Sequence, residues 1–184
     1  MPSRPTVTLR ARTDADLDTL FALASDLDSW EQRSPRRPAP MAKEPWLARI
    51  REREADPNGG IAFVIDVDGA PVGTINLFDI DDFAHHGEVG IALIASARGQ
   101  GVGTEAMRQI VEFAFVRANL RRVHLEVLGS NAAAIRSYEK AGFVVEGRQR
   151  AHAWSRGGYE DVVRMGLLRD EWSARRDVER PAGA

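Results

Sequence analysis

The stretch Glu88-Val-Gly-Ile-Ala-Leu-Ile-Ala-Ser-Ala-Arg98, continued by Gly99-Gln-Gly-Val-Gly103-Thr104, decides the fold of this chain. Its first half is apolar on both faces, which is typical of a strand in the centre of a sheet. Its second half is a glycine-rich turn. Apolar residues then recur at the spacing of one helix face, at Met107, Ile110, Val111, Ala114 and Ala118. The stretch therefore predicts a central strand, a tight turn and an amphipathic helix.

Strands and helices are predicted on both sides of this unit. The six other strands are expected at Thr6–Ala11, Ile61–Val67, Val72–Phe78, Val123–Leu128, Phe143–Gly147 and Tyr159–Leu167. Three further helices are expected after Thr13, before Ala55 and over Asn131–Ala141, and Ser29–Pro45 is predicted to be a mobile loop. The result is an α/β chain with a mixed, mostly antiparallel twisted sheet of about seven strands, flanked by about four helices. One domain is predicted over residues 6–168, followed by a polar, partly disordered tail over 169–184.

Composition excludes several classes of function. The chain has 184 residues, about the size of one domain, with 25 basic and 27 acidic residues and a formal net charge of −2. This charge argues against binding to nucleic acid or to an anionic membrane. We find no apolar run long enough to cross a membrane, so a cytoplasmic protein is expected. The chain has no cysteine, which excludes disulfides, thiolate metal sites and a cysteine nucleophile.

The glycine-rich turn predicts a phosphate or pyrophosphate site, because the first N–H groups of a helix point at one place. Arg98 can add a charged contact. A Walker loop is disfavoured, since no lysine follows Gly103. The spacing Gly101-x-Gly103-x-x-Ala106 also fits a dinucleotide-binding turn, with Glu126 as the acidic ribose ligand. The repeated β-α-β units of a dinucleotide sheet are missing, however.

A third interpretation rests on Arg98-x-x-Gly101-x-Gly103 together with Asn131-Ala-Ala-Ala-Ile-Arg-Ser-Tyr138. This pair of motifs closely resembles the GCN5-related N-acetyltransferase (GNAT) superfamily. Gly158-Tyr-Glu-Asp161 through Glu171-Trp172 also looks like the group that acetylates the N-termini of ribosomal proteins. The resemblance implies a single-domain GNAT fold that uses acetyl-CoA as co-substrate and an amine as acceptor. It also makes a homodimer one of the assemblies to expect.

The resemblance implies a role for particular residues. The backbone of Ala92, Leu93 and Ile94 would pair with the pantetheine arm of acetyl-CoA, like an added strand. Asn131 would cap its helix and contact the cofactor, and Tyr138 would place its phenol near the thioester sulfur. The pyrophosphate would be held by Arg98, Gly99, Gln100, Gly101, Val102, Gly103 and Thr104.

Two glutamates are candidates for the general base, which must produce a neutral amine. Leu125-Glu126-Val127 followed by Ser130-Asn131 looks like the branch of the family that acetylates N-terminal alanine. Glu126 is favoured because it precedes Tyr138 by twelve residues, as the base precedes the acid in that branch. Glu88, at the start of the central strand, is the alternative. Tyr138 would then protonate the departing thiolate. Without a cysteine to carry the acetyl group, transfer is expected to run directly from CoA to the amine.

The acceptor stays open at this point. A protein N-terminal α-amine is favoured, because its pKa of about 8 makes it easier to deprotonate than an alkylamine, whose pKa is about 10.4. A small amine such as a polyamine or an antibiotic is the second candidate, and a non-catalytic acyl-CoA-binding module is the third. The segment between Trp30 and Trp46 is expected to select the acceptor.

Other polar residues are expected to be less specific. Asp79, Asp81 and Asp82 form an acidic cluster that would attract a cationic amine if it lined the acceptor site, although an exposed turn is the simpler explanation. His85 and His86 are expected to be solvated, and His124 half-buried in its strand. No metal site is predicted, because no ligands have the spacing that one requires.

Overall fold

The computed structural model describes residues 5–33, 39–56 and 58–179. Seven strands form one sheet: β1 (Val7–Arg10), β2 (Ile61–Val67), β3 (Ala70–Asp81), β4 (His86–Leu93), β5 (Arg122–Leu128), β6 (Val144–Ser155) and β7 (Gly158–Leu168). Their order in space is β1-β2-β3-β4-β5-β7-β6. Neighbouring strands are antiparallel except β4 and β5, which are parallel. The predicted fold class is confirmed.

The helices lie on both faces of the sheet. They are α1 (Leu17–Ser25), α2 (Leu27–Arg33), α3 (Lys43–Ala55), α4 (Val102–Glu112), α5 (Ala132–Ala141) and α6 (Arg169–Glu179). A π-helical turn over Phe113–Arg117 extends α4. On one face, α4 and α5 pack on the main core, to which β5 contributes Val123, Leu125 and Val127. On the other face, α1 and α3 pack on Val64 of β2 through Leu20 and Trp46.

The amphipathic pattern of α4 is confirmed by burial. Met107, Ile110, Val111 and Ala114 are fully buried in the main core, at the spacing that places side chains on one helix face. Burial of this stripe fixes α4 against the sheet and fixes the position of its first turn at the carboxyl end of β4.

Two helices lie where the sequence predicted irregular chain. Helix α2 begins at Leu27, although Ser29–Pro45 was predicted to be a loop; residues 34–38 of that loop lie outside the described part. Its Ser29 is buried and accepts a hydrogen bond from Arg98. Helix α6 occupies the described part of the predicted polar tail. Trp172 holds it by packing on Phe115, with ring centroids 5.4 Å apart, a long-range contact that composition does not reveal.

Strand β6 is longer than the predicted Phe143–Gly147, because it pairs with β7 as far as Ser155. Two register shifts, between Val145 and Gly147 and between Gln149 and Ala153, interrupt its alternation. As an edge strand it is also largely exposed and polar. A prediction based on apolar alternation therefore ends too early.

No helix in the described ranges is both long and apolar enough to span a bilayer.

Candidate active site

A gap opens in the middle of the sheet where β4 and β5 separate. The two strands are paired only at His86–Arg122, Gly87–Val123 and Glu88–His124. Beyond that point β4 stays paired with β3 as far as Leu93, and β5 stays paired with β7 as far as Leu128. The facing edges of β4 and β5 are therefore open to an extended ligand.

The backbone of Leu93 faces this gap. Ile94 donates its N–H to the carbonyl oxygen of Val72 on the β3 side, at 2.9 Å. Because successive residues of a strand point their backbone groups to opposite sides, Leu93 and Ile91 point theirs away from β3. Of the three residues predicted to pair with pantetheine, Leu93 is thus oriented for it, whereas the backbone groups of Ala92 and Ile94 face β3. The alternation adds Ile91, which the motif comparison missed.

The glycine-rich turn has the backbone conformation of an anion site. Gly99 and Gly101 have φ angles of +74° and +83°, which other residues rarely adopt. A Cβ atom on either one would meet nothing within 4 Å, so the turn is open to a ligand. The first helical hydrogen bond of α4 is donated by the Glu105 N–H to the Gly101 carbonyl. The preceding N–H groups, on Val102, Gly103 and Thr104, are available to an anion.

Arg98 binds protein groups near this turn. Its Nε and one terminal nitrogen donate to the Leu93 carbonyl oxygen at 3.0 and 2.9 Å, and the same terminal nitrogen donates to Ser29 Oγ at 2.9 Å. Arg98 thus joins the end of β4 to α2. Gln100 donates to the Ser96 carbonyl oxygen at 2.6 Å, which closes the turn. The predicted contact of Arg98 and Gln100 with a pyrophosphate stays a prediction.

Helix α5 is capped by Asn131, carries Tyr138 and contacts the first turn of α4 through Ser137. Asn131 Oδ1 accepts the Ala134 N–H at 3.1 Å, so the predicted cap is confirmed. Ser137 Oγ and Thr104 Oγ1 are 2.8 Å apart, which joins α5 to the first turn of α4. Tyr138 packs against the main core near Phe143. Burial raises the pKa of its phenol to about 12, so the hydroxyl stays protonated at neutral pH.

The two candidate bases lie on the opposite face of the sheet from α5. Glu88 and Glu126 alternate with the core residues Val89, Leu125 and Val127, and they therefore share the face that α1 to α3 cover. Glu126 Oε1 accepts a hydrogen bond from Arg164 Nε at 2.8 Å. Glu88 Oε2 lies 3.9 Å from His124 Nε2. The gap between β4 and β5 thus has two carboxylates on one side and the Tyr138 helix on the other.

Two of the histidines, His124 and His86, are partly buried rather than fully exposed to solvent. His124 is half-buried as predicted, with 29% of its side chain exposed. His86 was predicted to be solvated, but its ring packs edge-on against His124 with centroids 5.6 Å apart, and Nδ1 of each ring is buried. The strand pairing that joins them is not visible in the sequence.

Asp81 accepts hydrogen bonds from the N–H groups of Phe83 and Ala84 at 2.9 and 2.7 Å, which supports the explanation of the acidic cluster as an exposed turn.

The described residues contain no group of three or more histidine, aspartate or glutamate side chains that could hold a metal ion.

A gap between two parallel strands that leads to the N-terminus of α4 suits an elongated ligand with a pyrophosphate at one end and an acyl group near the strands. Comparison with known families matches residues 6–144 to the acetyltransferase (GNAT) domain. The chain belongs to this family, and it is an N-acetyltransferase that uses acetyl-CoA.

Individual relatives agree with this assignment. The spermidine N(1)-acetyltransferase of Escherichia coli K12 is 27% identical over 177 residues, covering 95% of this chain and 92% of that protein. The putative ribosomal N-acetyltransferase YdaF of Bacillus subtilis is 31% identical over 122 residues, or 66% of each chain. The Vibrio cholerae spermidine N-acetyltransferase, solved with CoA and spermine, has the same fold: the TM-score is 0.83 at 23% identity, covering 91% of this chain and 98% of that one.

Proposed function

We propose that this enzyme acetylates a primary amine of a small polycation of the polyamine class. The observation that carries the proposal is the similarity to the spermidine N(1)-acetyltransferase of Escherichia coli, which extends over nearly the whole of both chains. The match to the family domain ends at residue 144, whereas this similarity covers 95% of the chain and 92% of that protein. The similarity to the putative ribosomal acetyltransferase is higher in identity but covers about two thirds of each chain. The protein N-terminus, favoured by the sequence motifs, therefore becomes the second candidate.

The charge of the proposed acceptor side supports a cationic substrate. Glu88 and Glu126 lie on the face that bears α2, and the nearby arginines Arg122 and Arg164 are each hydrogen-bonded to a glutamate. Their positive charge is thereby offset within the protein. Neither arginine therefore adds an uncompensated positive charge that would repel an acceptor with several ammonium groups.

The chain's own groups divide the chemistry between the two sides of the gap. Acetyl-CoA, when bound, supplies an activated acetyl group. Glu88 takes a proton from the acceptor ammonium, which is charged at neutral pH because alkylamines have a pKa of about 10.4. We place Glu88 before Glu126 in this role because Glu88 stands at the last paired position, where β4 and β5 begin to separate. Tyr138 holds its phenolic proton on the opposite side, where it donates to the sulfur as the bond to the acetyl group breaks.

Ligand binding is tested first, by thermal unfolding with acetyl-CoA and with NAD. A ligand that binds only the folded state stabilises it, by about 2.7 kcal/mol at one hundred times its dissociation constant. Acetyl-CoA should raise Tm and NAD should not. Stabilisation by NAD but not by acetyl-CoA would instead indicate that the glycine-rich turn binds a dinucleotide.

Acceptor choice is tested by following the release of CoA thiol with a panel of amines. The panel contains spermidine, a peptide with a free α-amine, and the same peptide with a blocked N-terminus and one lysine. We expect kcat/KM for spermidine to exceed that for the α-amine peptide at least about tenfold, or about 1.4 kcal/mol. A higher value for the α-amine peptide would favour the second candidate. Binding of acetyl-CoA with turnover of none of them would favour a non-catalytic acyl-CoA-binding module.

A further inference from the structure

The two backbone sites for acetyl-CoA are joined by a short connection. Strand β4 ends at Leu93, whose backbone faces the gap, and α4 begins at Val102. The connection contains Gly99 and Gly101, both with positive φ, and glycine is the most flexible residue of the backbone. A ligand that contacts both sites is bound productively only if their separation is fixed, since a misplacement of about 1 Å is costly.

The side chain of Arg98 closes this connection onto the end of β4. Its Nε and one terminal nitrogen donate to the Leu93 carbonyl oxygen, five residues earlier in the chain, at 3.0 and 2.9 Å. In the same peptide group, the Ile94 N–H donates to the Val72 carbonyl oxygen at 2.9 Å. The peptide group between Leu93 and Ile94 is therefore held on both sides, by β3 and by the first residue of the glycine-rich turn.

Ser29 of α2 holds the guanidinium from a second direction. The terminal nitrogen of Arg98 that donates to Leu93 also donates to Ser29 Oγ, at 2.9 Å. Ser29 is buried, and its helix lies against β4 and β5. Hydrogen bonds donated by an ionised group are stronger than neutral ones. These contacts therefore direct the positive charge of Arg98 towards the end of β4 and towards α2.

We propose that Arg98 is a positioning residue for acetyl-CoA, kept in place by Ser29, and that its side chain is not a ligand of the pyrophosphate. The guanidinium is a rigid fork of donors, which donates twice to Leu93 and once to Ser29. It fixes Leu93 relative to the turn, whose backbone N–H groups hold the pyrophosphate. This inference concerns the acetyl donor and goes beyond the proposed function, because it holds for either acceptor.

Two ligands distinguish positioning from a direct charge contact. ADP has the adenosine and the pyrophosphate of CoA but lacks the pantetheine arm. We expect Arg98→Met to weaken the binding of acetyl-CoA about tenfold and that of ADP less than about twofold, measured by calorimetric titration. Equal weakening of the two ligands would overturn the proposal, because a lost pyrophosphate contact affects both.

The salt dependence of acetyl-CoA affinity gives a second readout, which does not require ADP to bind tightly. A side chain that pairs with the pyrophosphate makes binding more sensitive to salt, because salt screens the pair. We expect the same slope of log Kd against log salt concentration for Arg98→Met and for the control described below. A flatter slope for Arg98→Met would contradict the proposal.

Arg121→Met is the matched control for both readouts. The Nε of Arg121 also donates to a backbone carbonyl oxygen, that of Ala84, at 2.8 Å. This contact lies before the start of β4 at His86, whereas Arg98 follows its end at Leu93. The control therefore loses the same charge and the same kind of hydrogen bond without touching the connection. It should bind acetyl-CoA and ADP as the wild type does.

The part played by Ser29 is tested with a double-mutant cycle. Ser29→Ala should weaken acetyl-CoA binding about threefold, and adding Ser29→Ala to Arg98→Met should weaken it no further, because Ser29 acts through Arg98. Ser25→Ala is the control, since Ser25 Oγ donates to the Phe21 carbonyl oxygen within α1; it should bind acetyl-CoA as the wild type does. Additive effects of the two substitutions would show that Ser29 stabilises α2 without positioning Arg98.

Kinetics separate positioning from a general loss of structure. Ser29→Ala should raise KM for acetyl-CoA and leave kcat at saturating acetyl-CoA within about twofold of the wild type. A fall in kcat with an unchanged KM would contradict a role in holding the donor. If the wild type binds acetyl-CoA but acetylates no amine, the proposed function fails, whereas the binding measurements still decide whether Arg98 positions the ligand.

Discussion

Tyr138 is the proton donor that we propose, and its surroundings affect how well its phenol can serve in that role. Its helix face predicts a core aromatic, and it does pack on the main core. Burial raises the pKa of the phenol to about 12, well above its ordinary value of 10.0. The hydroxyl is therefore protonated wherever the acceptor amine can be deprotonated. Full proton transfer to a free thiolate, of pKa about 8.5, is unfavourable, so we expect Tyr138 to act while the carbon–sulfur bond is breaking.

Replacing Tyr138 with phenylalanine should separate binding from chemistry. The ring and its packing are kept, so acetyl-CoA affinity and Tm should change little. Loss of the proton donor should lower kcat about 10²-fold, measured by thiol release with saturating acetyl-CoA. Tyr159→Phe is the matched control, because Tyr159 is the other tyrosine of the chain and is 75% exposed. A Tyr138→Phe enzyme as active as Tyr159→Phe would contradict the assignment.

Asp16 stabilises the fold away from the site. It is buried, accepts two hydrogen bonds of 2.8 Å from Arg10, and also accepts the Thr13 N–H at 2.7 Å. These contacts hold the pKa of Asp16 well below its usual range, with the Arg10 hydrogen bond as the main cause. The pKa of Asp16 is lower in the folded than in the unfolded protein, where it is about 3.9. Ionised Asp16 therefore stabilises the fold fully at pH values above about 3.9, and this contribution is lost as the pH falls from there towards the folded-state pKa.

Asp16→Asn should therefore destabilise the protein in a pH-dependent way. We expect a loss of about 2–3 kcal/mol at pH 7, since a buried carboxylate paired with a partly exposed arginine is neutralised. The difference from wild type should shrink between about pH 4 and pH 2. Urea unfolding across this range measures it. Asp18→Asn, at an exposed ion pair with Lys43, should differ little from wild type, and a pH-independent deficit for Asp16→Asn would contradict the explanation.

At the scale of single elements, the turn before α4 depends on backbone conformation more than on side chains. Gly101 caps the helix with a φ of +83°. An alanine there is strained by about 1–2 kcal/mol, although space for the methyl group exists. The N–H groups of Val102 to Thr104 keep their direction only if this conformation is kept.

Gly101→Ala should weaken acetyl-CoA binding more than it lowers stability, because a small rotation at residue 101 misdirects several N–H donors at once. Calorimetric titration with acetyl-CoA measures the affinity. Gly147→Ala on β6 is the control: a Cβ atom there also meets nothing within 4 Å, but Gly147 has an ordinary φ. Equal affinities of the two variants for acetyl-CoA would show that the turn does not hold the ligand.

Elements with strong local signals could be predicted from the sequence. The α4 stripe and the Asn131 cap were correct because helix spacing and capping are local properties. Helices α2 and α6 were missed because each is held by a residue that is distant in sequence. Ser29 of α2 is hydrogen-bonded to Arg98, and Trp172 of α6 packs on Phe115. The motif comparison indicated Leu93, but only the strand pairing shows that Ile91 and Leu93, rather than Ala92 and Ile94, face the gap.

For the whole molecule, the gap between β4 and β5 is the place where groups on the two faces of the sheet can reach the same ligand. The glycine-rich turn and Tyr138 lie with the helices of one face, and Glu88, Glu126 and His124 lie on the other. No local pattern predicts that parallel pairing stops at Glu88, or that it brings His124 of β5 beside Glu88 and His86 of β4. The charge of −2 is compatible with an anionic ligand because backbone N–H groups supply the local positive potential. The expected homodimer stays a prediction.

The most direct test of this arrangement is an NMR titration of the ¹⁵N-labelled protein with acetyl-CoA, in which backbone amide shifts and hydrogen exchange are followed residue by residue. Binding in the gap should shift and protect the amides of Ile91 and Leu93 on β4 and those of Val102, Gly103 and Thr104 on α4. The amides of Ala92 and Ile94, which face β3, should change little. Saturation with acetyl-CoA that leaves Leu93 and the α4 amides unchanged would contradict the central claim that the gap between β4 and β5 holds the acetyl donor.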